Sequence, residues 1–262
     1  MRERDTSPGA PCWIDLSATD TGVARAFYTR LFGWTADEPD PEFGGYFMFK
    51  HGDVPVAGCM PAMPDGPHDV WASYLTAEDA QKTLEAATAH GGQVIVPVMQ
   101  VGDAGTMGMV ADPGGSTIGV WQPGQFPGLT QVGEVGLPSW FELHTNDYDT
   151  VVAFYRDVFG WTVEVAGDQP GFRYSVLNHD GNQLAGIMDA SDWGPAAPMG
   201  WNIYFWVADA DAALAQVEEL GGSVIVPAED TPYGRLATAA DPAGARFRLM
   251  AANDQMPGDT NA

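Results

Sequence analysis

Apolar and polar residues alternate from Trp13 to Ala18 with the period of two expected of a strand, and Thr19-Asp20 follows as a helix N-cap signal. Val23, Phe27 and Leu31 then share one helical face, and Gly33 stands where a C-cap glycine belongs. Strands are predicted through Tyr46–Lys50 and Val54–Met60. A second unit opens with a strand at Val70–Thr76 and a helix over Glu78–His90, which Gly91-Gly92 terminates. Strands through Val94–Val98, Gly108–Ala111 and Thr117–Trp121 complete it, so each unit reads β-α-β-β-β.

The pattern then returns. Trp13-Ile14-Asp15-Leu16, Asp20, Ala26-Phe27-Tyr28 and Phe32-Gly33-Trp34 reappear 127 residues later as Trp140-Phe141-Glu142-Leu143, Asp147, Ala153-Phe154-Tyr155 and Phe159-Gly160-Trp161. Gly91-Gly92-Gln93-Val94-Ile95-Val96-Pro97 matches Gly221-Gly222-Ser223-Val224-Ile225-Val226-Pro227, and Asp112-Pro113-Gly114-Gly115 matches Asp241-Pro242-Ala243-Gly244. The offset drifts only from 127 to 130, which chance does not produce. The expected organisation is a tail at 1–10, an α+β domain at 11–122, a Gly/Pro-rich linker at 123–136, a second domain at 137–252 and a tail at 253–262.

Composition narrows the setting. With 11 Lys and Arg against 35 Asp and Glu, the net charge of −24 repels nucleic acid and anionic membranes and attracts cationic small molecules. No run approaches the roughly 20 apolar residues of a membrane span, and the N-terminus lacks a signal-peptide core. Two cysteines, Cys12 and Cys59, are too few for a disulfide framework, so a cytoplasmic monomer or homodimer is expected.

The doubled units, with an "AFY…LFGW" helix and a "DPxG" turn before the last strand, resemble the vicinal oxygen chelate superfamily of glyoxalases, extradiol dioxygenases and bleomycin-resistance proteins. The tandem form looks like an actinobacterial two-domain group. The resemblance covers about 11–252 and implies two tandem glyoxalase-like domains, each a cupped mixed sheet made of two paired units. Metal-dependent members hold a divalent ion with His, Gln and Glu on the concave face. At the matching positions this chain has Trp13, about Ala72, Trp140 and Asn202 on first strands, and Gly119 and Arg248 on last strands. No metal and no cofactor are therefore expected.

Strand parity places Trp13, Tyr74, Trp121, Trp140, Tyr204 and Trp206 toward the cups, with Asp15, Glu142 and His144 on the same face. Aromatic walls with a few polar groups suit a planar ligand, and carboxylates beside indoles suit one carrying an amine. The expected site is Trp13, Asp15, Tyr74, Trp121, Trp140, Glu142, His144, Asn202, Tyr204, Trp206 and Arg248. Three readings stay open. The chain sequesters an aromatic metabolite or antibiotic, as the drug-binding members do; or it is a glyoxalase-type lyase or oxygenase with a displaced metal site at Glu142 and His144; or its cups are filled and bind nothing.

Overall fold

A computed structural model describes residues 2–194 and 199–256. It contains two eight-stranded mixed sheets built in the same order. In the first, the strands run Thr35–Ala36, Phe47–His51, Val54–Pro61, Pro11–Ala18, Val70–Thr76, Thr117–Pro123, Gly105–Ala111 and Gln93–Val101. In the second they run Thr162–Gln169, Phe172–His179, Asn182–Asp189, Pro138–Thr145, Gly200–Trp206, Arg246–Ala251, Gly234–Ala240 and Ser223–Thr231. Within each half the two units join through their first strands, which pair antiparallel: Trp13 faces Tyr74, and Trp140 faces Tyr204. Each first strand also runs parallel to its unit's last, so Asp15 lies beside Gly58 and Tyr204 beside Arg248.

The helices form where capping chemistry permits. Helix α1, Thr21–Phe32, begins at Asp20, whose carboxylate accepts from Gly22 N and Val23 N, and ends at Gly33 in the left-handed region. Helices α2 (Ala80–Ala89) and α4 (Ala210–Glu219) begin at Asp79 and Asp209, each accepting a backbone N–H of the first turn. Helix α3, Tyr148–Phe159, repeats the terminal glycine at Gly160, although Asp147 makes no side-chain cap bond.

The helix-facing sides of both sheets share one hydrophobic core. Helix α1 lies between them: Tyr28 meets Trp71 of the first sheet at 5.2 Å, while Phe32 meets Phe205 of the second at 4.7 Å. The second glycine of each Gly-Gly pair is required by this packing. A Cβ on Gly92 would press on Phe154 of α3 at 2.9 Å, and one on Gly222 would press on Phe27 of α1 at 3.1 Å.

The repeated motifs meet across the pseudo-twofold relation of the halves. Tyr28 donates its hydroxyl to Asp241 in the second half's DPxG turn at 3.1 Å, and Tyr155 donates to Asp112 in the first at 3.1 Å. Each tyrosine oxygen in turn accepts an indole N–H, from Trp71 at 3.1 Å and from Trp201 at 2.9 Å. All four tyrosine and aspartate side chains are buried, so their hydrogen bonds are satisfied between the halves rather than by water.

The expectation of a loose tail at 1–10 does not hold. Arg2–Glu3 pairs with Gln131–Val132, and the buried Arg4 guanidinium donates to the carbonyls of Leu129 at 2.5 Å and Pro127 at 3.1 Å. Carbonyl dipoles hold this cation where the tail's composition suggested only solvent. Of the expected C-terminal tail, residues 257–262 lie outside the described residues, and Asn253 bonds back to Asp230 and Thr231.

Replacing Tyr28 or Tyr155 with Phe strips a donor from a buried carboxylate and an acceptor from a half-buried indole. Each change is expected to cost about 1–3 kcal/mol. Thermal melts of Y28F, Y155F and the double variant check this, and the single variants should cost similar amounts because the two contacts are pseudo-equivalent.

Candidate functional site

The face of each sheet opposite the helices carries one buried carboxylate, and the same aromatic donors surround both. In the first half Trp13 Nε1 and Tyr46 OH each donate to Asp15 Oδ1 at 2.9 Å. In the second, Trp140 Nε1 donates to Tyr174 OH at 3.0 Å, and Tyr204 donates to Glu142 at 2.8 Å. Tyr46 and Tyr174 are absent from the sequence-derived site. Their equivalence, 128 residues apart, was available in the repeat. What the sequence did not give was their reach across a neighbouring strand.

The first cup is closed by its own side chains. The Tyr74 ring lies over Gly119, and the Tyr46 hydroxyl and Asp15 lie over Gly58, where a Cβ would collide with them. Phe126, from the linker, packs edge-on against Trp13 at 4.8 Å and against Trp121 at 6.2 Å, and its carbonyl accepts the Trp121 indole N–H. Trp13, Asp15, Tyr74 and Trp121 are all buried.

The second cup adds charge. His144 Nε2 lies 2.7 Å from Glu142 Oε1, while its Nδ1 is 3.4 Å from Arg248 Nη2. Those partners set the tautomer, with Nε2–H donating to the carboxylate and Nδ1 accepting from the guanidinium. Arg248 Nε donates to Asn202 Oδ1 at 3.2 Å, and its guanidinium stands 5.3 Å from the Tyr204 ring centre. The first half has Ser17, Gly119 and Ala72 at the places of His144, Arg248 and Asn202. Trp193 covers the His144 ring edge-on at 4.8 Å. The same indole borders an open groove of about 300 Å³ whose lining includes Phe172, Arg173, Asp168 and Asp189. Trp140, Asn202, Trp206 and Arg248 are only half-buried. The structure brings together all the expected second-half residues except Trp206, whose indole joins neither hydrogen-bond network among the described residues.

Electrostatics separates the two carboxylates. Burial, the largest influence, raises the Asp15 pKa above the ordinary range despite its bonds from Tyr46 and Trp13. Burial also pushes Glu142 upward, but the hydrogen bond from His144, the field of Arg248 and the Tyr204 hydroxyl outweigh it, and the net shift is downward.

Two eight-stranded cups made from paired β-α-β-β-β units define a glyoxalase-like class of protein. The chain belongs to the Glyoxalase/Bleomycin resistance protein/Dioxygenase superfamily, whose sequence profile matches residues 12–120 and 138–249. It is 37% identical over 248 residues to CFP32 of Mycobacterium tuberculosis (strain CDC 1551 / Oshkosh), which carries a glyoxylase name, covering 92% of this chain and 94% of that one. It is 34% identical over 266 residues to the anthracycline biosynthesis protein DauV of Streptomyces sp. (strain C5), covering 96% of each. The Mn(II)-bound glyoxalase from Novosphingobium aromaticivorans shares the fold at a TM-score of 0.66 and 17% identity, covering 100% of this chain and 87% of that one.

The residues in the cups do not fit the family's divalent metal. The first cup offers a single carboxylate. In the second, His144 Nε2 is spent on Glu142, and its Nδ1 faces a guanidinium that repels a metal ion. Among the described residues no three His, Cys, Asp or Glu side chains are placed to share an ion. The displaced site considered from the sequence, at Glu142 and His144, meets the same obstacle.

The carboxylate shifts predict opposite stability effects. Asp15 has a raised pKa, so the folded state binds its proton more tightly than the unfolded chain, and ionisation destabilises. Asp15→Asn should raise the melting temperature at pH 7, and the gain should vanish as the pH falls to the ordinary aspartate value. Glu142 has a depressed pKa, so its stabilisation is present above the ordinary glutamate value and lost as the pH falls through the depressed one. Glu142→Gln should lower the melting temperature at pH 7 and lose that effect in acid. Each change should be on the order of 1 kcal/mol, or about 2–4 °C. Melting curves of both variants between pH 3 and pH 8 (roughly the span over which carboxylates titrate) check the signs.

Proposed function

We propose that this protein binds a small planar aromatic compound at its second cup, without a metal, in the service of antibiotic biosynthesis or resistance in the cytoplasm. The observation that carries the reading is the asymmetry of the two halves. Tyr46 and Tyr174 lie over Gly58 and Gly186 alike, but the first cup is also sealed by Phe126 on Trp13 and Trp121. The second keeps half-buried Trp140, Asn202 and Arg248 around a charged network, with the groove under Trp193 beside it. A flat ring system could stack on these indoles, and oriented polar groups could fix its position. Antibiotic biosynthesis enters through the similarity to DauV, an anthracycline biosynthesis protein matched along nearly its whole length.

Long-range attraction of cationic ligands by the −24 charge fits this reading, and so do the groove aspartates. Asp15 and Glu142 are less suited to pair with a ligand amine, because protein donors already occupy them. An enzymatic reading draws on the His144–Glu142 pair, a buried imidazole hydrogen-bonded to a carboxylate, which is a general-base arrangement in form. Trp193 covers that imidazole, which favours binding over proton transfer to a substrate.

An anthracycline added to the protein should quench tryptophan emission with micromolar or tighter affinity, a binding free energy of about 8 kcal/mol. Trp140→Ala should weaken binding by about 1–3 kcal/mol. Asp15→Asn, in the closed cup, should leave it unchanged. Loss of binding in Asp15→Asn with Trp140→Ala unaffected would place the ligand in the first cup and overturn the assignment.

A further inference from the structure

We infer that Arg248 is the second cup's resident cation and that it holds an acidic oxygen of the ligand, an ionised phenol or enol on a polycyclic ring. The inference rests on the second-cup reading above and adds the ligand's chemical class to it.

The argument begins with unspent donors. A guanidinium carries five N–H groups. The protein takes Nε for Asn202 and one Nη2 proton for His144 Nδ1, and Nη1 has no hydrogen-bond partner among the described residues. No carboxylate lies within ion-pair distance of Arg248 among the described residues. Arg25, Arg156, Arg173 and Arg235 each pair with an Asp or Glu. Arg4, also without a carboxylate, spends its guanidinium on backbone carbonyls and Thr76, whereas Arg248 is half-buried on a concave face with only Asn202 and His144 as hydrogen-bond partners among the described residues. Glu142, the carboxylate in the same cup, is withheld from it by His144 and Tyr204.

The placement is specific to this half. Arg248 pairs with Tyr204 on the central strands, and the equivalent residue beside Tyr74 is Gly119. Where the family's metal-dependent members gather ligands for a cation, this cup holds a cation of its own. Asn202 accepts its Nε–H and His144 accepts from Nη2, so the planar fork is held in one orientation. The free edge of a fixed guanidinium is suited to a bidentate contact with an oxyanion and a neighbouring carbonyl oxygen. The acidic protein as a whole repels anions at long range, so this attraction acts only at contact, within the roughly 8 Å screening length at physiological salt.

Two ring probes separate this inference from the reading it rests on. One is 2-hydroxyanthraquinone, whose ionisation red-shifts its visible band. The other is 2-methoxyanthraquinone, the same ring without an acidic hydroxyl. The titratable groups facing Arg248 are His144 and Glu142 on Pro138–Thr145 and Tyr204 on Gly200–Trp206. Wild-type protein should bind the hydroxy probe at least about tenfold tighter than the methoxy probe above the probe's own pKa. It should also lower the bound hydroxyl's apparent pKa by about one unit, the same factor of ten. Arg248→Gln should abolish both effects, and Arg248→Lys, which keeps the charge, should restore part of the pKa shift. Thermal melts confirm that the variants fold. Equal binding of both probes with an unshifted hydroxyl, or an Arg248→Gln variant indistinguishable from wild type, overturns the role of Arg248 and leaves the second-cup site standing. Failure of both probes to bind wild-type protein overturns both.

Discussion

A carboxylate buried in the concave face of a sheet must be hydrogen-bonded, neutralised or paired, because removing its charge from water is costly. The halves meet that constraint with equivalent aromatic residues used differently: Trp13 and Tyr46 donate directly to Asp15, whereas Tyr204 and His144 donate to Glu142 and Trp140 donates to Tyr174. In the first half those donors suffice only with a raised pKa at Asp15. In the second, the hydrogen bond from His144 and the positive field of Arg248 offset burial, and Glu142 is held as the anion. The difference between a closed cup and a charged one follows from that single divergence within a duplicated frame.

The duplication also explains how the halves stay together. The motifs that make the repeat visible are the ones that face the other half. Tyr28 and Tyr155 cross to the opposite DPxG turns, and Gly92 and Gly222 admit Phe154 and Phe27. Trp34 donates its indole N–H to Gly136 O, just before the second domain's first strand. A pseudo-twofold interface made of self-complementary pieces repeats its chemistry in both directions, as an isologous dimer contact does. Each cup is therefore carried on a shared aromatic core rather than on a domain of its own.

Much of the fold was legible because it is written in local signals. Period-two alternation placed the strands that carry the site, and the aspartate and glycine punctuation placed the helices. The Gln93–Val101 and Gly105–Ala111 strands extend past their predicted ends, because edge pairing continues where side-chain alternation gives no cue. Parity also put Trp13, Asp15, Trp140, Glu142, His144 and Tyr204 toward the concave faces, and Arg248 came from the matched ligand position on the last strand. Parity gave no sign that Phe126 from the linker would cover the first cup, or that Arg4 would be buried among backbone carbonyls, because those contacts join segments more than a hundred residues apart. Arg248 was visible as a residue hostile to a metal ion. Its role as a donor became apparent only once its lack of an acidic partner could be seen.

The central claim is that one cup binds and the other is structural, and indole N–H resonances report it directly. The chain has nine tryptophans, with Trp13 and Trp121 in the first cup and Trp140 and Trp193 at the second. In a two-dimensional nitrogen–proton spectrum assigned by single Trp→Phe substitutions, an added polycyclic ligand should shift or broaden the Trp140 and Trp193 indole signals. Those of Trp13 and Trp121 should stay in place. Perturbation of Trp13 and Trp121 with Trp140 and Trp193 unmoved would contradict the account.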